Sequence, residues 1–154
     1  MKTVSYEEFK KMDMRLGHIK YVEPVEGTDK LLRFEIDFGE QSIVCTGECT
    51  PQKCEHDNND CTCEPNCECT MPEAAFGKSE YAGRDVRQIV SGIREYWPEY
   101  KELEGKYGLY ILNLEPREIR GVMSHGMLMA VDGTDAKPVF LGPQGSVEPG
   151  ARVR

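Results

Sequence analysis

Short stretches of alternating apolar and polar residues recur along this chain, and they predict strands more often than helices. Residues 5–12, SYEEFKKM, are the first exception. Ser5 suits an N-cap with Glu8 as its capping-box partner, so the pattern predicts a short helix with Phe9 and Met12 facing inward. Residues 15–22 follow as a strand with Leu16, Ile19 and Val22 apolar, and Pro24 and Gly27-Thr28 mark a loop. Residues 31–38, LLRFEIDF, predict a half-buried strand, with Phe34, Ile36 and Phe38 on one face and Leu32, Arg33, Glu35 and Asp37 on the other. Gly39-Glu40 should begin a turn.

Apolar periodicity then stops and returns at 86–93, VRQIVSGI, which predicts a third strand. Residues 41–86 therefore look like an insertion in a hairpin. Its arms, QSIVCT (41–46) and VRQIVS (86–91), both have strand propensity and are expected to pair with each other. Pro98 fits the first position of a short helix and Gly105 its end. Residues 107–113, YGLYILN, and 127–131 read as a fourth and a fifth strand, before a tail punctuated by Gly133, Pro138, Gly142, Pro143, Gly145, Pro149 and Gly150. Five short strands with a small helix between the third and fourth predict a small all-β barrel, one domain over 1–154 with a Cys-rich insertion at 41–86.

The chain has 154 residues, 39 % apolar and 30 % charged, which suits one globular domain with a real core rather than a disordered segment. No apolar run has the length of a membrane helix, and MKTVSYEEFKKMDMR lacks a signal-peptide core, so the cytoplasm is the expected location. A net charge of −8 argues against a simple basic nucleic-acid binder. The charge is uneven, however. Residues 45–83 hold eight acids and two bases, a charge of −6, which leaves −2 for everything else. The body is mildly acidic and leaves room for local basic patches.

The order of local signals resembles one family, the tRNA-binding OB domain attached to methionyl-tRNA synthetases. That domain also occurs as free-standing dimeric tRNA-binding proteins and in a secretion-chaperone-like branch. The resemblance is carried by FKKMDMRLGHI (9–19), TDKL (28–31), RQIVSGI (87–93), ELEGK (102–106), LNLEPREIRGVMSHGMLMA (112–130) and SVEPGARVR (146–154). Its most specific element is N-L-x-P-x-x-I-R-G-x-x-S-x-G-M, from Asn113 to Met127. The departure is an insertion of roughly forty residues where the family has a tight turn.

The resemblance implies a five-stranded OB-fold Greek-key barrel that recognises folded tRNA by shape. This agrees with the dominance of backbone and 2′-hydroxyl contacts in structured RNA. It also implies a homodimer, with the tail and the N-terminal helix as interface pieces, and an aminoacyl-tRNA synthetase as a partner. OB-folds bind across their second and third strands, which makes Arg33 and Arg87 sensible phosphate contacts. Ser91 and Arg94 lie in the SGI block, and Asn113, Arg117, Arg120, Ser124 and Met127 come from the long motif.

Each of these residues has a plainer reading. Arg117 and Arg120 as residue types are ordinary surface charge. Met127 and Met129 sit at strand spacing and read as core. Ser124 in GVMSHG has one residue too many for a nucleophile elbow, so it reads as a hydrogen-bonding group rather than a catalyst. Trp97 reads as a packing anchor and His18 as structural. No synthetase catalytic signature is present, and a non-enzymatic role is expected.

All seven cysteines fall between Cys45 and Cys69, spaced C-x3-C-x4-C-x6-C-x-C-x3-C-x-C. Cys45, Cys49, Cys54, Cys61, Cys63, Cys67 and Cys69 with His56 make eight donors, enough for two tetrahedral zinc sites or for another thiophilic metal. Disulfides are a second reading, disfavoured by the odd count and a reducing compartment. A loop with free thiols is a third. A chaperone or assembly factor, and a metal-sensing protein on an OB scaffold, stand beside tRNA binding as alternative functions.

Overall fold

A computed structural model of the chain describes residues 3–41, 44, 45, 69, 70, 76 and 78–154. Two compact units emerge: one from Met1–Gly39 and Val86–Arg154, the other from Glu40–Asp85. The first is built on a six-stranded sheet. In chain order its strands are β1 (Met14–Pro24), β2 (Leu32–Glu40), β5 (Arg84–Ser91), β6 (Tyr107–Ile111), β9 (Met127–Asp132) and β10 (Pro138–Phe140). They run side by side as β10-β9-β6-β1-β2-β5. The five strands expected from the pattern correspond to β1, β2, β5, β6 and β9, and β10 adds a short edge strand.

β1 serves two partners. Its first half, from Met14 to His18, pairs antiparallel with β6, and its second half, from His18 to Pro24, pairs antiparallel with β2. The β2 register shifts between Ile19 and Tyr21, the kind of irregularity that bends a strand and lets a sheet coil. Beside the first half of β1 the C-terminal tail takes up hydrogen bonds. Leu16 N–H donates to Ala151 O (2.9 Å), Gly150 N–H to Leu16 O (2.8 Å) and Val153 N–H to Met14 O (3.0 Å). Only glycine fits at Gly150. Its φ is +86°, and a Cβ there would stand 2.1 Å from the Phe38 carbonyl oxygen.

The core gathers the inward positions of these strands: Ile19, Val22, Leu32, Phe34, Ile36, Phe38, Ile89, Ile93, Leu103, Tyr110 and Leu112. Trp97 packs on it from the side, its ring 5.7 Å from Phe140, as a packing anchor should. Burial of Tyr110 pushes its phenol well above the usual tyrosine range. β2 departs from the expected half-buried pattern. Leu32 joins the Phe34 face, as period two requires, while Glu35 and Asp37 on the opposite face are buried as well. Gly39 N–H donates to Asp37 Oδ1 (2.9 Å), and Glu35 accepts from Arg33.

α1 (Tyr6–Lys10) forms with the anticipated capping box, Ser5 N–H to Glu8 and Glu8 N–H to Ser5 Oγ. The bond from Ser5 N–H to its carboxylate holds Glu8 below its ordinary range. Phe9 and Met12 are exposed rather than inward, because the helix is too short to offer a full apolar stripe. The helix expected after Pro98 is instead a single 3-10 turn, Tyr100–Leu103, with Gly105 at φ +81° just beyond it, and another 3-10 turn, Arg94–Tyr96, precedes Pro98.

The arms of the insertion pair differently from expectation. In the second unit β3 (Val44–Cys45) pairs antiparallel with β4 (Cys69–Thr70). β5 lies beside β2, and Gln41 N–H donates to Gly83 O (2.9 Å) just ahead of β5. Strand propensity identifies a strand but not its partner. Val44 and Cys45 find a closer partner in sequence, with less chain to close.

Candidate nucleic-acid interface

The long motif folds into a small hairpin, β7 (Arg117–Ile119) and β8 (Val122–Ser124), with Ile119 opposite Val122. Two residues make its turn, and both have positive φ, +52° at Arg120 and +80° at Gly121. A two-residue turn with that signature matches the right-handed twist of the strands it joins. Glycine adopts it freely, whereas arginine there carries a strain of about 1 kcal/mol or more. Arg120 is thus held at the hairpin tip, and Arg117 stands on β7 opposite Ser124. Both side chains are exposed, and among the described residues neither forms an ion pair.

The hairpin is anchored to β5 by an unusual set of bonds. Ser124 Oγ accepts from Val90 N–H (3.0 Å) and donates to Gly126 O (3.0 Å). His125 N–H donates to Gln88 O (2.8 Å), and Gln88 Nε2 donates to Met123 O (2.7 Å). Ser124 is only 4 % exposed, so its hydroxyl is spent on backbone and does not face a ligand. In the structure it holds the hairpin to β5. Ser124→Ala leaves the buried Val90 N–H unsatisfied and is expected to cost about 1–3 kcal/mol. The melting temperature should then fall by roughly 2–4 °C per kcal/mol in a chain of this size, with the salt dependence of RNA binding unchanged.

Ahead of the hairpin, Asn113 ties the N-terminal segment to the barrel. Its Oδ1 accepts from Asp13 N–H (2.8 Å) and its Nδ2 donates to Lys11 O. Asp13 receives Arg15 in two bonds of 2.8 Å, one from Nε and one from a terminal nitrogen. Arg152 of the tail stands 3.7 Å from the same carboxylate. The Arg15 hydrogen bond, with the fields of Arg15, Arg152 and Arg87, holds the Asp13 carboxyl below its ordinary range. Arg87 also donates to Leu112 O (3.2 Å). One carboxylate therefore feels the fields of three guanidinium groups.

A depressed carboxyl contributes stability above its unfolded pKa and loses it as pH falls through the folded value. The tie between Asp13 and the arginines should therefore weaken below the ordinary carboxylate range. Asp13→Asn is expected to lower the melting temperature at neutral pH and to match the native chain in strong acid. Melting curves across pH would check this; a constant difference at every pH would contradict it.

The remaining expected contacts are placed differently. Arg33 Nε and one terminal nitrogen bind Glu23 and Glu35, and the other terminal nitrogen donates to Gln88 Oε1 (2.8 Å). That guanidinium is engaged within the sheet. Arg94 donates to Thr28 O (2.6 Å) and holds the TDKL loop, and Ser91 ends β5 half-buried. Met127, expected in the core by residue type, is 48 % exposed opposite Ile111, at the start of β9. His18 Nε2 lies 3.2 Å from Gly105 O, in keeping with a structural role.

Sequence reasoning missed the Asp13 cluster, because Asp13, Arg87 and Arg152 are far apart along the chain. Cys45 and Cys69 fall in β3 and β4, whereas Cys49, Cys54, His56, Cys61, Cys63 and Cys67 lie outside the described residues. Among the described residues no group of three or more metal-binding side chains assembles, and no helix is long and apolar enough to cross a membrane.

An exposed, arginine-tipped hairpin carried by an all-β barrel defines a nucleic-acid-binding module. Residues 76–152 match the family described as "Putative tRNA binding domain", and the chain belongs to that family. It is 30 % identical over 98 % of its length to a methionine–tRNA ligase of Methanosarcina acetivorans. It is 33 % identical over 97 % of its length to that of Archaeoglobus fulgidus. It spans only 15 % and 16 % of those two enzymes. Among solved structures it resembles a MetRS-related protein of Pyrococcus horikoshii, at 27 % identity, a TM-score of 0.65 and full coverage of both chains. The chaperone CsaA of Bacillus anthracis shares the fold at 17 % identity, with a TM-score of 0.61 over 99 % of this chain and 100 % of that one. The chain is therefore a tRNA-binding domain related to a part of methionyl-tRNA synthetases.

Proposed function

We infer that the chain binds folded tRNA without catalysing a reaction, and that it does so in the cytoplasm as an accessory to an aminoacyl-tRNA synthetase. The supporting observation is the hairpin tip. Arg120 occupies a strained left-handed position with an exposed guanidinium, beside an equally exposed Arg117. Backbone strain that serves no packing is a mark of functional placement. Arginine forks match phosphate oxygens. Arg152 beside Asp13, with a side chain 63 % exposed, offers a further guanidinium near the motif. Arg87 acts there, Asn113 serves by fixing the N-terminal segment through Asp13 N–H and Lys11 O, and Met127 borders the motif as an apolar contact.

Recognition by shape makes a direct test. Transfer RNAs of different amino-acid specificity should compete with one another about equally, and an unstructured RNA of the same length should compete poorly. Strong preference for the unstructured strand would overturn the reading. Protection of an aggregating client protein that tRNA does not reverse would favour the chaperone alternative instead.

A second copy of this chain is the partner proposed for the exposed apolar positions. Met127, Met129 and Val131 share one face of β9, and Val139 of β10 stands opposite Val131. Val131 and Val139 are each about half exposed, and Tyr6 of α1 is 70 % exposed. Sedimentation of the native chain should give a dimer, and Val131→Asp should shift it toward monomer.

A further inference from the structure

Trp97 is the chain's single tryptophan, and two lysines stand over its ring. The Lys137 ammonium lies 3.9 Å from the ring centroid and that of Lys106 lies 5.4 Å from it. The two come from separate parts of the chain, and each backbone is pinned. Lys106 O accepts from Ile19 N–H (2.9 Å), and Lys106 N–H donates to Leu103 O (3.2 Å). Lys137 O accepts from Gly133 N–H (3.0 Å), and Lys137 N–H donates to Asp135 Oδ1 (3.1 Å). One cation would be enough to hold an indole by its face. Two ammonium groups gathered at one ring repel each other. Among the described residues neither lysine forms an ion pair.

The indole is kept at a cost. Its Nε1–H is buried and has no hydrogen-bond partner among the described residues. A phenylalanine would pack on Phe140 and the core without that orphan donor. What tryptophan adds is the ring face most attractive to cations. Packing alone therefore does not account for the residue, whereas gathering positive charge does.

We propose that Lys106 and Lys137, seated on Trp97, form a second contact for the phosphate backbone of the folded RNA that the hairpin binds. The proposal rests on the tRNA reading above and extends it to another part of the barrel. The hairpin is tied to β5, whereas Lys106 leads into β6 and Lys137 into β10. An ammonium over a ring keeps its charge and its N–H donors, so it can still meet phosphate oxygens. Lys106 is exposed, and Lys137 and Trp97 are half-buried, so solvent reaches the site. A phosphate shared by the two lysines would remove their mutual repulsion. Phe140, which packs on Trp97, alternates along β10 with Val139. The site is thus on the other face of β10 from the apolar positions offered to a second copy.

The test titrates the full chain with one intact tRNA at several salt concentrations. It follows affinity together with the emission of Trp97, which no other tryptophan obscures. Binding to the native chain should change that emission. Lys106→Gln with Lys137→Gln, at a temperature where its melting curve shows it folded, should bind roughly tenfold more weakly at low salt. Its salt slope should be shallower by about one to two. Lys106→Arg with Lys137→Arg should recover both, because guanidinium keeps the charge and binds phosphate. This recovery separates charge from mere packing of the lysine stems. Native affinity and slope in the glutamine variant would overturn the proposal, as would an emission that tRNA leaves unchanged. Should Arg117→Ala with Arg120→Ala still weaken binding in that event, the hairpin reading stands alone. A native chain that binds no tRNA would end both.

Discussion

Replacing Arg117 and Arg120 by alanine together is expected to weaken tRNA binding by roughly tenfold to a hundredfold. The side chains are exposed and make no ion pair among the described residues, so their loss costs little stability. Surface changes of this kind usually stay within about 0.5 kcal/mol. Each guanidinium that meets a phosphate releases counterions, so the double variant should also show a salt slope shallower by about two. Filter binding across a salt series, beside a melting curve, reads both quantities. Arg120→Gly alone sharpens the argument, because glycine relaxes the left-handed turn position. That variant should be at least as stable as the native chain and still bind tRNA less tightly. If binding were unaffected in both variants, the hairpin would have no part in it.

Arg33→Ala should do the opposite. Arg33 binds Glu23, Gln88 and a Glu35 that is 1 % exposed. Removing a guanidinium from a buried carboxylate costs about 3–5 kcal/mol. The Arg33 side chain itself is 19 % exposed and that of Glu23 is 37 % exposed, so solvent screening reduces the figure to about 2–4 kcal/mol. The melting temperature should drop by roughly 5–15 °C. At a temperature where the variant remains folded, its salt slope for tRNA should match the native one. A stable variant with weakened binding would return Arg33 to the RNA surface.

The contrast between these arginines shows what the sequence carries and what it withholds. Period-two alternation locates β1, β2, β5, β6 and β9 because one face of each is committed to the core. It misjudges β2, since a polar face reads as solvated whether or not other groups enclose it. Glu23 and Gln88, which bind Arg33, lie ten and fifty-five positions away, and no local pattern announces them. β7 and β8 escape notice because three residues are too few for a period. The remaining signal there is the glycine of Arg120-Gly121 between two short extended runs, the mark of a tight hairpin. Ser124 illustrates the limit of a motif. The motif names the residue, while the structure shows its hydroxyl bonded to Val90 and Gly126.

The charge distribution follows the same logic. Of the net charge of −8, residues 45–83 carry −6, which weakens any whole-chain argument about RNA. On the proposed reading, binding depends on the local field around the hairpin. Charges separated by more than a Debye length, about 8 Å at physiological salt, are largely screened from one another, so the whole-chain charge says little about any one patch.

The most direct trial of this account is the affinity of the native chain for one intact tRNA, measured from low to high salt. Binding carried by arginine–phosphate contacts predicts a log-linear loss of affinity as salt rises. An affinity that stays flat across the series, or the absence of binding even at low salt, would contradict it.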